Sequence, residues 1–332
     1  MVLALIDHDG GKPSDLSLEL LTFGRGLAKE VGVSLQAALI GRGAGALAGG
    51  LATHGVTAAY VVEDDRVDAY APEAWAQSLV ELIEKIQPQV VAGTESDRGA
   101  EVMAHAAAIT GLPLAANCTE VHPGDHFMVT RQRWGGTLLE EARLTGSVKL
   151  ITVAPHAVPA QDAPGPGDVE VIPFHPSLAE KDFRVRVDDV VERPADRISL
   201  TEARVVVGGG RGVGGPEGFR PLEELAELLG GTVGCSRVVT SAGWRPHTDQ
   251  IGQTGVRIAP DLYIACGISG ATQHIVGCRG AKRILVINTD WEAPIMAQAD
   301  FAVIGDVRQV VPALNAEIRK ARGGPGEQQP RE

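Results

Sequence analysis

Three short apolar runs near the C-terminal end, Leu262 to Ala265, Ile284 to Ile287 and Phe301 to Ile304, each stop at a small or polar turn. The turns read Gly267-Ile268-Ser269-Gly270, Asn288-Thr289-Asp290 and Gly305-Asp306, and each leads into a helix-like segment. This repeat constrains the fold strongly. Apolar runs without alternation suit strands buried on both faces, as in a parallel sheet covered by helices. Ligands of open α/β sheets lie beyond the carboxyl ends of the strands, where this chain places Gly, Ser, Asn and Asp. A long polar loop from Arg237 to Pro260 adds further donors. The pattern suits one large phosphate-containing cofactor held along a sheet edge.

The full series in this half predicts strands at 204–207, 232–235, 262–265, 283–287 and 301–304. Helices are expected at 217–229, 270–277, 293–298 and 307–320. The first half alternates as well. Val2 to Ile6 reads as a strand ending in Asp7-His8-Asp9-Gly10-Gly11, a solvated turn or part of a subunit contact. Leu16, Leu20, Phe23, Leu27 and Val31 recur at helical spacing. Leu35 to Ile40, Ala58 to Val62 and Val90 to Ala92 read as strands. Trp75, Leu79, Leu82, Ile83 and Ile86 mark a helix stopped by Pro88, and Val102, Ala106 and Ile109 mark another.

Phe127 to Arg133, Gly136 to Glu141 and Val148 to Val153 read as an antiparallel addition to the first sheet. Val169 to Ile172 and Phe183 to Val191 are expected as further strands beyond the Pro/Gly-rich stretch 154–167. The expected domains are therefore 1–198 and 199–320, with a polar tail at 321–332. The fold class is α/β: a mostly parallel N-terminal domain with an antiparallel addition, then a Rossmann-like parallel-sheet domain.

A chain of 332 residues fits two domains, and 44% hydrophobic with 22% charged residues suits packed cores. The net charge of −12 argues against nucleic acid. Cys118, Cys235, Cys266 and Cys278 show no CxxC spacing, so neither a metal site nor a redox dithiol is expected. The N-terminus lacks a basic region before its short apolar run, and no run approaches a membrane span. The expectation is a cytoplasmic protein, not membrane-embedded.

Val207 runs into Gly208-Gly209-Gly210-Arg211-Gly212-Val213-Gly214-Gly215. This matches the GxGxxG pattern of NAD-binding turns. It equally suits glycines that only permit a tight turn. No acidic residue follows the second strand to hold a ribose, and Arg211 inside the turn suits a phosphate or an aromatic ring.

Across this second half the motifs become specific: GGRG (209–212), CSR (235–237), QIGQTG (250–255), APDLYIACGISGATQH (259–274), VINTDWEAPI (286–295), ADFAVIGDV (299–307) and VVPAL (310–314). The chain resembles the α subunit of electron transfer flavoprotein. IDHDGG (6–11) and VTRQRWGGTLLEEARLTGSVKLITV (129–153) extend the likeness more loosely into the first domain. Thr289-Asp290-Trp291, Cys278 and His247-Thr248-Asp249 depart from the usual pattern.

The resemblance implies a heterodimer with an electron transfer flavoprotein β subunit, which carries AMP in simple members or a second FAD in bifurcating members using NADH. It implies one FAD in the C-terminal domain, flavin dehydrogenases as electron donors and an oxidoreductase as acceptor, with no substrate turnover by this subunit alone. Arg211, Ser236 and Arg237 would contact FAD. So would Ile251, Gly252, Gln253 and Thr254, then Ser269, Gly270, Ala271, Thr272, Gln273 and His274, and finally Asn288, Asp306 and Val307. His274 and Arg237 would stabilise an anionic flavin semiquinone, since added negative charge favours a nearby donor or cation. Gln253 and Thr254 would bond the N5/C4=O edge. Tyr263 and Trp244 are read as packing. An NAD-dependent dehydrogenase is the more distant alternative.

Overall fold

The computed structural model describes all residues except Gly10, Thr137, 164–167, 189–197, Glu202 and 324–332. It forms two compact units, Met1–Val191 and Glu192–Glu332.

In the first unit, β1 (Val2–Ile6), β2 (Leu35–Leu39), β3 (Val56–Val62), β4 (Val90–Thr94), β5 (Leu114–His122), β6 (Phe127–Arg133), β7 (Leu138–Leu144), β8 (Lys149–Val153) and β9 (Glu170–Phe174) build one sheet. Its order is β9-β3-β2-β1-β4-β8-β5-β6-β7. Pairing is parallel up to β5, and β6 and β7 are added antiparallel. Alternate residues of β1 feed opposite core layers: Val2, Ala4 and Ile6 one, Leu3 and Leu5 the other. That two-sided burial is why its sequence shows no polar alternation.

Helices α1 (Asp15–Val31), α2 (Pro72–Ile86) and α3 (Asp97–Thr110) cover the sheet. Ser14 caps α1 through the Ser17 N–H, and Gly32 ends it in the left-handed region. Leu20 and Leu27 are buried, as the helical spacing predicts, whereas Ile109 is exposed.

Several expectations need correction. Lys149–Val153 is not part of the antiparallel addition. It lies parallel between β4 and β5 in the middle of the sheet. The nine-residue strand Leu114–His122 has no counterpart in the sequence reading. Glu180–Phe183 is a 3₁₀ turn and 184–188 is not strand, while the rest of that expected strand lies outside the described residues. The Asp7-His8-Asp9 segment is solvated only at Asp9. His8 is buried with Nε2 2.9 Å from the Ile40 carbonyl, and Asp7 accepts from Ser96 at 2.8 Å.

The second unit carries β10 (Val205–Gly209), β11 (Thr232–Cys235), β12 (Leu262–Cys266), β13 (Ile284–Asn288) and β14 (Phe301–Ile304). All pair in parallel, in the order β11-β10-β12-β13-β14. Helices α4 (Arg220–Leu229), α5 (Arg237–Ser241), α6 (Thr272–Cys278) and α7 (Val307–Gly323) connect or follow them. The helix expected at 293–298 is a 3₁₀ turn, Pro294–Gln298. β14 is exposed along its length, against the expectation of two-sided burial, and none of its residues joins either core of this unit. Two cores flank the sheet, one around Val207, Phe219 and Leu222, the other around Val206, Tyr263 and Ile295. This is the doubly wound order in which the chain reverses direction beside its first strand, leaving a crevice between the carboxyl ends of β10 and β12. Among the described residues no helix is long and apolar enough to cross a membrane.

Candidate cofactor site

Backbone hydrogen bonds tie the five strand ends into one platform. The Ser236 N–H donates to the Gly209 carbonyl (3.0 Å) and the Gly210 N–H to Cys266 (2.8 Å). The Gly267 N–H donates to Ile287 (2.8 Å) and the Gly305 N–H to Asn288 (3.0 Å). Glycine is required where loops meet backbone to backbone. A Cβ on Gly210 would stand 2.2 Å from the Gly267 carbonyl oxygen, and one on Gly212 2.6 Å from the Gly267 Cα. The run that matched GxGxxG therefore serves loop packing. One 3₁₀ turn, Arg211–Val213, lies within it and a second, Pro216–Phe219, follows, so α4 begins only at Arg220. The strand–turn–helix geometry that puts a dinucleotide fingerprint at a helix start is not formed, which removes the sequence basis for the dehydrogenase alternative.

A cavity of about 270 Å³ opens over the switch point. Each of four strand ends contributes: Arg211 and Gly212 after β10, Ser236 and Val238 after β11, Gly267 and Ser269 after β12, and Asn288, Asp290 and Ala293 after β13. Ser236 stands at the N-cap of α5, yet its side chain makes no capping bond. Arg211 and Arg237 are exposed and form no ion pair among the described residues. Arg237 stands between two lining residues in sequence without lining the cavity. Asn288 is nearly buried and partly committed. Its Nδ2 donates to the Ile268 carbonyl (2.9 Å) and its Oδ1 accepts from the Asp290 N–H (3.1 Å). One N–H and one lone pair remain.

The other predicted residues gather where the Gln250–Gly255 loop meets the start of α6. The Gln253 N–H donates to the Gln273 carbonyl (2.8 Å). A Cβ on Gly277 would lie 2.3 Å from the Gly252 nitrogen, so loop and helix also touch through glycines. Gly252 and Gly270 have φ of 146° and 81°, conformations that favour glycine. Ala271 is the N-cap of α6 and offers no side-chain acceptor. Gln253, Thr254, Ser269, Ala271, Thr272 and Gln273 are exposed, while Ile251 is buried in the core.

His274 lies beneath this junction, only 6% exposed. Nε2 is 2.8 Å from the Tyr263 hydroxyl, and Nδ1 is buried without a hydrogen-bond partner among the described residues. Burial pushes its pKa down to about 4, with the nearby Ile251 carbonyl acting in the opposite sense without closing a bond to Nδ1. The imidazole is thus a neutral donor or acceptor and not a resident cation.

Asp306 and Val307 do not line the cavity. The Asp306 carboxylate accepts from the Arg308 N–H and guanidinium, and that pairing holds its pKa below the usual range. Val307 is buried in the core.

Sequence reasoning missed Gln250, which is 2% exposed. Its Oε1 accepts from the Thr240 hydroxyl (2.6 Å) and its Nε2 donates to Thr254 Oγ1 (3.0 Å), bracing the polar loop. It also missed Val238, Asp290 and Ala293 in the cavity wall and the tie between Tyr263 and His274. A buried polar residue inside a polar loop carries no local signal.

The parallel sheet, its switch-point crevice and the small polar strand ends define an α/β protein of the nucleotide-cofactor-binding class. A family model described as electron transfer flavoprotein domain matches residues 2–177, and one described as electron transfer flavoprotein FAD-binding domain matches residues 199–279. Electron transfer flavoprotein α subunits are similar along almost their whole length. That of Mycobacterium leprae is 38% identical, covering 97% of this chain and 99% of its own. That of Clostridium acetobutylicum is 35% identical (96% and 97%), and that of Thermoanaerobacterium thermosaccharolyticum 34% (95% and 97%). The chain belongs to the electron transfer flavoprotein family, as an α subunit.

Proposed function

We propose that residues 199–320 hold one FAD across the strand ends of the second unit, and that residues 1–198 contact a β subunit. The observation that carries this reading is the convergence of four successive strand ends on one crevice, with Arg211, free of ion pairs among the described residues, at its lip. The donor set suits a dinucleotide. Arg211 and the hydroxyls of Ser236 and Ser269 suit phosphate oxygens, and Asn288 retains one donor and one acceptor for a sugar or base. The orphaned, buried His274 Nδ1 is a further polar atom awaiting a partner. A cavity of about 270 Å³ encloses only part of a dinucleotide, and on this reading the remainder runs over the exposed Arg237, Gln253 and Thr254, which do not line it.

FAD, when bound, supplies one-electron redox chemistry. The chain supplies the surroundings. The Arg237 guanidinium contributes a fixed positive charge on the rim. Gln253 and Thr254 offer hydrogen bonds from the braced loop, and His274 offers a neutral donor from below. None of these groups forms an acid/base pair suited to a substrate of its own, which supports a carrier that passes single electrons between a flavin dehydrogenase and an acceptor oxidoreductase.

The test is the cofactor content of the purified αβ complex. One FAD with AMP per heterodimer supports the simple carrier, and two FAD support a bifurcating complex. Arg211→Ala should weaken FAD binding by about tenfold or more, since a hydrogen bond to a charged group contributes roughly 1.5–3 kcal/mol. A colourless complex that takes up no FAD refutes the reading.

A further inference from the structure

We propose that Tyr263 is a positioning residue that holds His274 as the neutral tautomer carrying its proton on Nδ1. The proposal deepens the FAD reading, since it concerns what His274 presents to that site. Tyr263 stands on β12, fully buried, with its hydroxyl 2.8 Å from His274 Nε2. Space for that hydroxyl exists because residue 208 is glycine: a Cβ there would lie 2.3 Å from Tyr263 Oη. His274 is the hydroxyl's partner among the described residues.

Two neutral arrangements satisfy the 2.8 Å contact. In one, the Tyr263 O–H donates to an unprotonated Nε2, and Nδ1 carries the ring proton. The only donor of this pair left without a partner is then Nδ1–H. In the other, Nε2–H donates to Tyr263, so the phenol proton and the Nδ1 lone pair are both left unpaired. A buried polar group without a partner costs roughly 1–3 kcal/mol, so the first arrangement dominates by about 5- to 150-fold. Burial disfavours both charged forms, raising the phenol's pKa and lowering the imidazole's, which keeps the phenol a donor and the ring neutral. The Ile251 carbonyl raises the ring's proton affinity without closing a bond to Nδ1, which also favours a proton on the nitrogen that Tyr263 does not engage.

Nδ1–H is then a buried donor on the side of the Ile251–Thr254 loop, one of the segments assigned to FAD. A donor held by a second buried side chain is preorganised: it need not change tautomer when negative charge accumulates nearby. A phenol in the core beneath a cofactor site thus acts at one remove, through the imidazole.

The experiment is two-bond ¹⁵N–¹H correlation on the αβ complex carrying ¹⁵N-labelled histidine, with and without flavin. The His274 signals are assigned by their loss in His274→Gln. The expected pattern is a protonated Nδ1 and a hydrogen-bonded, unprotonated Nε2. Tyr263→Phe should convert it to a tautomer mixture and weaken FAD binding about tenfold, the loss of one buried hydrogen bond. Gly208→Ala keeps both residues but pushes the Tyr263 ring and hydroxyl aside, since its Cβ would lie 2.3 Å from Oη and 2.7 Å from Cε2, and should produce the same mixture. A proton on Nε2 in the unsubstituted protein overturns the proposal, as does an unchanged pattern in Tyr263→Phe. The flavin-stripped complex separates the two readings. The Nδ1–H pattern in a complex that never binds FAD sinks only the cofactor assignment, and the reverse pattern in a flavin-loaded complex sinks only the tautomer.

Discussion

His274 should make the second unit acid-sensitive in a way that a single substitution removes. Its pKa falls from 6.5 in the unfolded chain to about 4 in the native one, chiefly through burial. Between those values the unfolded chain takes up a proton that the native site refuses. Stability therefore falls as pH drops from about 6.5 toward 4, is complete above that window, and loses nothing more from this group below it. At about 1.4 kcal/mol per pH unit the full effect is about 3 kcal/mol, a large share of the roughly 5–15 kcal/mol that holds a domain folded. The perturbation is His274→Gln, whose carboxamide is neutral throughout. Urea unfolding of the flavin-stripped protein, followed by circular dichroism and tryptophan fluorescence, gives stability at about pH 7.5 and about pH 4.5. His8, also lowered chiefly by burial, and the surface carboxylates contribute equally to both proteins and cancel in the difference. The substitution costs stability at neutral pH by removing the Tyr263 bond, but that cost should shrink by about 2–3 kcal/mol at the acidic pH. Differences equal at the two pH values, to within about 0.5 kcal/mol, would refute the buried neutral imidazole.

Gly210→Ala should break the junction between the β10 and β12 loops, because its Cβ would stand 2.2 Å from a backbone oxygen that no side-chain rotation relieves. Overpacking of this kind costs roughly 1–3 kcal/mol, and the urea midpoint should fall together with FAD affinity. Gln250→Ala removes two side-chain hydrogen bonds, although Thr240 keeps its bond to the Arg237 carbonyl and Thr254 is exposed. A loss of about 1–3 kcal/mol, at roughly 0.5–1.5 kcal/mol per hydrogen bond, and faster amide exchange confined to the 250–255 loop are expected. Arg237→Ala should leave the stability within about 0.5 kcal/mol, since an exposed arginine without an ion pair contributes little to folding. It should lower the one-electron reduction potential of bound flavin, measured by spectroelectrochemistry.

Local pattern carried the elements well where burial is regular. Leu20 and Leu27 face the core as their spacing requires, and the apolar runs at 262–266 and 284–288 are strands buried on both faces. It failed where pairing partners are remote. Leu114–His122 mixes small, polar and acidic residues, and it is a strand because β8 and β6 flank it. Lys149–Val153 looked like the third member of a meander, yet it pairs with β4 and β5, because register follows from which edge the chain can reach. At the site, Arg211, Ser236, Ser269 and Asn288 were all legible as strand-end polar residues, and the fold brings them to one cavity. Asp306 was legible in the same way, but its carboxylate is held by Arg308 two residues on.

The order of residues alone thus determined the α/β class, the existence of five strand-end turns in the second half and the small polar side chains at them, because periodicity and turn chemistry act over a few neighbouring residues. Tertiary structure decided which turns share a cavity, which polar groups are already spent, and that an imidazole lies buried against a phenol. Those outcomes depend on through-space neighbours far apart in the chain, and desolvation, which sets the charge of His274, exists only once the core has closed around it.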